Sequence, residues 1–182
     1  MKAFLSLGSN IGDRIASLEL ARRMIEERVG SVVRQSRVYE TEPYSDTPQE
    51  WFLNQVLLID TGLTARVLLK ACQQIETELG RERLNENQSF NGNDNGGGTY
   101  GAYLPRKIDI DILLYGQHAI RQVGLSIPHL EMHKRRFVLE PLAEIAPELE
   151  HPIFRKTIRD LKFECVDSHS VRLVACHGGI DE

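Results

Sequence analysis

One stretch limits the fold of this chain more than any other: Lys107-Ile108-Asp109-Ile110-Asp111-Ile112-Leu113-Leu114-Tyr115. Charged and apolar residues alternate over its first half, and the second half is apolar. That is how a buried strand reads when one end surfaces at a site. Successive strand side chains point to opposite faces, so Ile108, Ile110 and Ile112 share one face and Asp109 and Asp111 the other. At roughly 3.3 Å of rise per residue the two carboxylates stand about 7 Å apart and parallel. Like charges held that close on a mostly buried strand repel each other and lose hydration. A hard divalent cation relieves both costs, and carboxylates suit Mg²⁺, above all where phosphate oxygens complete its shell. The plainer alternative is a strand with a solvated acidic face. Apolar residues on both sides, with Arg106 and Lys107 adjacent, favour the metal.

Such a strand needs a core around it, and 182 residues provide one within a single domain. A net charge of −4 gives no reason to expect nucleic acid or a membrane surface as the main partner, so any phosphate-binding basic cluster must be local. Cys72, Cys165 and Cys176 are odd in number and widely spaced, which argues against a disulfide framework and for a reducing compartment. No apolar run of about 18 residues occurs and the N-terminus lacks a signal pattern, so a cytoplasmic protein without membrane contact is expected.

Read in order, Lys2 to Leu7 alternate as a strand, and Gly8 to Asp13 form a turn ending in an N-cap. A helix follows from about Arg14, with Ile15, Leu18, Ala21, Ile25 and Val29 on one face and Gly30 as its stop. Val32 to Tyr39 reads as a second strand, Glu40 to Glu50 as a loop holding Pro43 and Pro48, and Trp51 to Thr61 as a third strand. On that third strand Phe52, Asn54, Val56 and Leu58 share a face. An amide one pleat from a ring suits the edge of a flat ligand whose face stacks on the ring, although a core Phe beside a strand-end Asn fits equally well. A second helix starts near Thr64, with Val67, Ala71, Ile75 and Leu79 repeating every four residues and Leu68 and Cys72 alongside. Arg81 and Arg83 emerge just beyond it. The polar, glycine-rich run from Asn85 to Gly98 is expected as a loop inside the domain, and the aspartate strand follows. The order β-α-β-β-α-β specifies an α+β, ferredoxin-like core with a mainly antiparallel sheet. A hairpin after Gly116, an extended Leu125–Pro128 and a helix from about His133 to Ile145 are added C-terminally.

Several motifs fail on context. Gly96-Gly97-Gly98-Thr99-Tyr100-Gly101 matches a dinucleotide fingerprint in letters, but it leads into a strand and offers no helix N-terminus. No Walker lysine follows a glycine cluster. His129 and His133 lack the adjacent His-Glu of a zinc-protease helix, and Cys165, His169, Cys176 and His177 have no common zinc spacing. What remains is a set of cations around the aspartate pair: Arg81, Arg83, Arg106, Lys107, Lys134, Arg135 and Arg136. Any single arginine of these also fits a solvated basic face, the reading preferred for Arg136. Two carboxylates, local cations and no P-loop suggest Mg·nucleotide chemistry on an unusual scaffold.

The pieces resemble one family, the 6-hydroxymethyl-7,8-dihydropterin pyrophosphokinases of folate biosynthesis. They are Leu7-Gly8-Ser9-Asn10-Ile11-Gly12-Asp13-Arg14, Tyr39-Glu40-Thr41-Glu42-Pro43, Phe52-Leu53-Asn54, Gln73-Gln74-Ile75-Glu76 and Gly80-Arg81-Glu82-Arg83. They continue with Pro105 to Tyr115, Ile127-Pro128-His129, Arg135 to Leu139 and Pro141 to Pro147, in the right order as far as about Pro152. The resemblance implies transfer of pyrophosphate from ATP to a pterin alcohol, with AMP leaving, in a pyrophosphokinase domain over 1–160 followed by a tail, 161–182, of no assigned role. It implies two Mg²⁺ ions on Asp109 and Asp111, and Arg81 and Arg106 acting on the phosphates. Gln73, Glu76, Arg83, Ile112, Ser126, His129 and Arg135 would bind ATP. Phe52 and Phe137 would sandwich the pterin, whose edge bonds Thr41, Asn54 and the backbone around Tyr44. A monomer is expected. The chain departs from the family in carrying Leu104 where glycine is usual, and in a longer loop from Leu84 to Leu104, with Tyr103 as its nearest aromatic.

Two rival readings follow from the same residues. A nucleotidyltransferase also pairs a Gly-Ser turn with an Asp-x-Asp strand, but there the two lie close in sequence, unlike Ser9 and Asp109 here. The rival from another class is a non-catalytic ferredoxin-like module binding a metabolite or RNA. RNA binding would need paired exposed aromatics and a basic face, and neither is evident.

Overall fold

A computed structural model describes residues 1–44, 48–80 and 107–174. The chain runs β1 (Lys2–Ser9), α1 (Arg14–Arg28), β2 (Ser31–Gln35), β3 (Tyr39–Thr41), β4 (Phe52–Asp60), α2 (Ala65–Glu78) and β5 (Asp109–Tyr115). A hairpin of β6 (Ile120–Gln122) and β7 (Leu125–Ile127) follows, then a 3-10 turn (Met132–Lys134), α3 (Arg136–Ile145), α4 (Ile158–Glu164) and β8 (Val171–Leu173). The main sheet has the order β5-β1-β4-β3-β8, with β2 also on β4, and its pairings are antiparallel. The class is α+β and the core is ferredoxin-like, as the order of sequence patterns indicates.

Three elements differ from the sequence reading. The strand expected over Val32–Tyr39 is broken into β2 and β3, because Ser36 Oγ accepts the Val56 N–H at 3.0 Å and donates to the Arg37 carbonyl at 2.7 Å. The Ser36 N–H still donates to the Val56 carbonyl at 2.9 Å, but the return bond goes to the side-chain oxygen in place of a backbone carbonyl, which interrupts the ladder there. The chain rejoins β4 as β3, so Glu40 and Thr41, expected in a loop, lie in a strand. The helix expected from about His133 starts at Arg136, since Arg135 is extended (φ −114°, ψ 107°) and separates it from the 3-10 turn. After α4 the chain returns to the sheet, where β8 pairs with β3.

α1 and α2 cover one face of the sheet. Leu5 and Leu7 of β1, Leu53, Leu57 and Ile59 of β4, and Ile108, Ile110 and Ile112 meet Leu18, Ala21 and Ile25 of α1 and Leu68, Cys72 and Ile75 of α2. Asp13 caps α1, its carboxylate accepting the Ala16 N–H at 2.9 Å. Val67, which opens the four-residue repeat, is 47% exposed. At about 100° per residue a strict four-residue repeat drifts by roughly 40° a step, so the series winds out of the core and Leu68 and Cys72 take its place. Ile15 is exposed for its part at the start of α1. Burial pushes the Cys72 thiol up to about 12, assisted by the negative charges of Glu76 and Asp111, so it is a core residue and not a reactive one.

The opposite face is divided. Phe4, Val56, Leu58, Leu113 and Leu114 lie under Met132, Val138, Leu139 and Leu142 of the 3-10 turn and α3, with Ile158 and Leu161 of α4 beyond. A register shift between Phe4 and Leu5 sets Leu114 opposite Phe4 and Ile112 opposite Leu5, leaving Leu113 as an extra residue on β5. This bulge explains why the sequence stops alternating there: Leu113 and Leu114 both turn to the α3 side. Ser6, Gly8, Asn54, Asp109 and Asp111, on the same face but toward the other end, line a cleft.

Candidate active site

The floor of the cleft is a cross-strand row. Gly8 stands between Asp109 of β5 and Asn54 of β4, and Ser6 between Asp111 and Val56. A Cβ on Gly8 would lie 2.9 Å from Asn54 Oδ1, so only glycine leaves the buried Asn54 amide in place. That amide donates to Thr41 Oγ1 at 2.7 Å, which fixes its orientation at the end of β3. Pro43 and Tyr44 continue the wall after β3, Phe52 lies at the start of β4, and the first turn of α3 supplies Phe137 across the cleft. A polar edge between two aromatic rings suits a flat heterocycle carrying donors and acceptors on one edge.

Asp109, Asp111, His129 and Arg135 line the same cleft on its acidic side. The His129 backbone N–H donates to the Leu113 carbonyl at 2.9 Å, and its Nδ1 accepts the Glu131 N–H at 3.3 Å, which leaves Nε2 as the nitrogen that carries hydrogen. Burial, then the Arg135 cation, push this imidazole down to about 4, against the opposing pull of Glu131 and Asp109. His129 is therefore a neutral donor near pH 7. Arg135 stands 5.8 Å from the centre of the Phe137 ring, so the charged and the ring-bearing halves of the cleft adjoin.

The donor set fits Mg²⁺. Asp109 and Asp111 are half-buried carboxylates two residues apart on one strand face. Among the described residues no group of three His, Cys, Asp or Glu comes together to hold a metal. One or two carboxylates with substrate phosphate oxygens and water is how Mg²⁺ is ordinarily bound, in contrast to a closed protein cage.

The cleft thus gathers nine of the residues singled out from the sequence: Thr41, Tyr44, Phe52, Asn54, Asp109, Asp111, His129, Arg135 and Phe137. Gln73, Glu76, Ile112 and Ser126 do not line it. They belong to α2, β5 and β7, and both α2 and β7 pack beside β5 at the edge of the sheet. Ile112 faces the helix-side core, and buried Glu76 accepts the Ile110 N–H at 2.8 Å, tying the last turns of α2 to the aspartate strand. Arg81, Arg83, Arg106, Tyr103, Leu104 and the glycine-rich run lie outside the described residues, as do Cys176 and His177. His169 pairs with Asp167 at 2.7 Å. Sequence reasoning did not single out Ser6, Glu42 or Pro43 as lining residues. For Ser6 the signal was present, since small residues alternate with Leu5 and Leu7 along β1.

Residues 4–147 match the model of the 7,8-dihydro-6-hydroxymethylpterin-pyrophosphokinase (HPPK) family. The chain belongs to that family. It is an ATP-dependent pyrophosphokinase, and HPPK catalyses transfer of pyrophosphate from ATP to hydroxymethyldihydropterin in folate biosynthesis, with ATP and typically Mg²⁺. The 2-amino-4-hydroxy-6-hydroxymethyldihydropteridine pyrophosphokinase of Methylorubrum extorquens is 42% identical over 149 residues, 81% of this chain and 84% of that one. The enzyme of the same name from Bacillus subtilis is 35% identical over 181 residues, 99% of this chain and 94% of its own. Among solved structures, wild-type HPPK-DHPS of Plasmodium falciparum superposes with a TM-score of 0.68 at 17% identity, over 90% of this chain. This chain spans 44% of that protein, and the likeness supports the fold alone. Among the described residues no helix is long and apolar enough to cross a membrane.

Proposed function

We propose that the HPPK reaction takes place in this cleft with the following division of labour. The pterin lies between Phe52 and Phe137, its polar edge on Asn54, Thr41 and the backbone around Tyr44. The triphosphate lies over Asp109 and Asp111, with His129 Nε2–H and the Arg135 guanidinium as donors to its oxygens. Arg81, Arg83 and Arg106 complete the cationic set, and the adenosine end sits at the outer edge of β5, among Gln73, Glu76, Ile112 and Ser126. Asp109 and Asp111 would hold the Mg²⁺, two ions on this reading, whose charge would neutralise the phosphates for displacement. The pterin hydroxyl oxygen attacks the β-phosphorus. The new O–P bond forms as the bond to the α,β-bridging oxygen breaks, its electron pair leaving with AMP. Asp111, on the floor of the same cleft, assists by accepting the hydroxyl proton, and no dedicated base is assigned. A neutral His129 keeps a donor at the phosphates without drawing Asp109 into an ion pair.

The observation that carries this reading is the meeting, in one cleft, of the ring-and-amide half with the carboxylate-and-cation half. Incubation with ATP, Mg²⁺ and the pterin alcohol tests it and should release AMP. ADP would indicate an ordinary kinase, and pyrophosphate a nucleotidyl transfer. A single catalytic domain over 1–160, the two-ion count, a monomeric state and a cytoplasmic location belong to the same proposal. Titration with Mn²⁺ counts the ions, and sedimentation reads the oligomeric state.

A further inference from the structure

The segment joining α4 to β8 touches both walls of the ring half of the cleft. Asp167, whose side chain is 4% exposed, uses one carboxylate oxygen, Oδ2, to accept the Arg136 N–H at 2.7 Å and also the Tyr44 hydroxyl. Its other oxygen accepts the His169 N–H at 3.0 Å and stands 2.7 Å from His169 Nδ1. The His169 ring stacks on Tyr44 with centroids 3.9 Å apart, and Tyr44 meets the edge of Phe137 at 5.6 Å. Next in the chain, the Glu42 N–H donates to the Ser170 carbonyl at 3.0 Å, Glu42 Oε2 accepts the Ser170 N–H at 3.1 Å, and β8 continues the pairing along β3 past Thr41. A buried carboxylate that accepts several hydrogen bonds holds its partners firmly, and at a helix N-terminus it also complements the helix dipole.

Tyr44 belongs to the wall against which the pterin edge is placed, and Phe137, next to Arg136, supplies one ring of the slot. More than ninety residues of sequence separate those walls, and one carboxylate oxygen bonds both. We propose that Asp167 is a positioning residue: through Tyr44 and the first turn of α3 it sets the width of the pterin slot, and so the affinity for the pterin but not for ATP. Asp167 does not touch the reacting atoms. The segment 165–174 is on this view a strap that closes the ring half of the cleft, with β8 anchoring it to β3. The inference rests on the pterin placement above.

The test uses the full chain and compares wild type with Asp167→Asn, Tyr44→Phe and the double variant. The KM for the pterin alcohol, the KM for ATP and the melting temperature are read for each. Asp167→Asn should raise the pterin KM about tenfold while the ATP KM stays within twofold. Tyr44→Phe keeps both ring contacts and removes only the hydroxyl, so it should raise the pterin KM in the same direction. The double variant should be no worse than Asp167→Asn alone, since both changes break one link. The proposal is overturned if both KM values rise together, if only the melting temperature moves, or if the two effects add. Should wild type release no AMP with the pterin alcohol, the pterin reading itself is wrong. Wild-type turnover with an unchanged pterin KM in the variants overturns the strap alone.

Discussion

Two ends of one sheet face do opposite jobs. At one end Phe4, Leu58 and Leu114 form a cross-strand row under α3, and burial there holds the molecule together. Two pleats away along β1, Gly8, Asn54 and Asp109 form the equivalent row, which lines the cleft together with Phe137 of the first turn of α3. The three strands are the same; the side chains differ, and the bulge at Leu113 lies between the two rows. The lesson is that the site arises from polarity written into alternate positions of β1, β4 and β5, with α3 docking where those positions turn apolar.

The sharpest break in that comparison comes from the acidic end. Asp109→Asn or Asp111→Asn removes a charge from a half-exposed position that supports no core. Turnover should fall by about a thousandfold, the scale on which loss of charge stabilisation at a displaced phosphoryl group is felt. The melting temperature should hold. AMP release, followed beside thermal unfolding, checks both, and full turnover in both variants would remove these carboxylates from the mechanism.

A reciprocal exchange sets the two ends against each other. Val56 and Asn54 are both buried on the same face of β4, one pleat apart. Val56→Asn places an unpartnered amide under α3 and should cost about 3 kcal/mol of stability. Asn54→Val removes the bond to Thr41 from the cleft floor and should cost only about 1 kcal/mol of stability, while pterin binding weakens about a hundredfold. Denaturant unfolding and pterin titration separate the outcomes. Equal stability losses would mean that the cleft row is as much core as the other.

How much of this could be read beforehand follows the same division. The helix-side core was legible because Ile108, Ile110 and Ile112 alternate with Asp109 and Asp111, and alternation needs no knowledge of neighbours. The covered half was less so: a bulge at Leu113 interrupts the alternation, and Ser36 cuts a strand by bonds that propensity does not register. For the cleft, residue types and resemblance marked Phe52, Asn54 and Phe137. Ser6 shares the alternation of small residues with Leu5 and Leu7, but the register that sets it opposite Asp111 is not written in β1 itself. Asp167 was invisible for a stronger reason. Its local partner, His169, makes a two-residue turn of a kind common among surface aspartates, whereas the partners that tie it to the cleft, Tyr44 and Arg136, lie 123 and 31 residues away.

The ring half offers a milder test. Phe137 is half-buried at the start of α3, so its truncation leaves Val138, Leu139 and Leu142 in the core. Phe137→Ala should weaken pterin binding about tenfold, from lost stacking and apolar contact, with ATP binding affected far less. Separate titrations with each ligand measure the two. Equal weakening would argue against the sandwich, and would suggest that Arg135, 5.8 Å from the ring, depends on Phe137 for its place.

The smallest effect concerns the covered end and pH. His151, in the connection between α3 and α4, is buried and stacks on Phe154, and its Nδ1 accepts the Ile153 and Phe154 N–H groups at 3.3 and 3.2 Å. Burial, with a contribution from His133, pushes it down to about 4 from the ordinary 6.5. Below 6.5 the unfolded chain takes up a proton that the folded chain refuses, so stability is complete above that value and declines as pH falls toward 4. After allowance for solvent screening the loss should be about 1 kcal/mol. His151→Asn keeps a carbonyl acceptor for the two N–H groups and cannot titrate, so its drop in melting temperature between neutral and mildly acid solution should be smaller than that of wild type. His129 is also held neutral and loses stability in the same direction, so some acid sensitivity will persist in the variant. An unaltered drop would mean that His151 opens to solvent before it protonates, and that acid acts on the cleft end first.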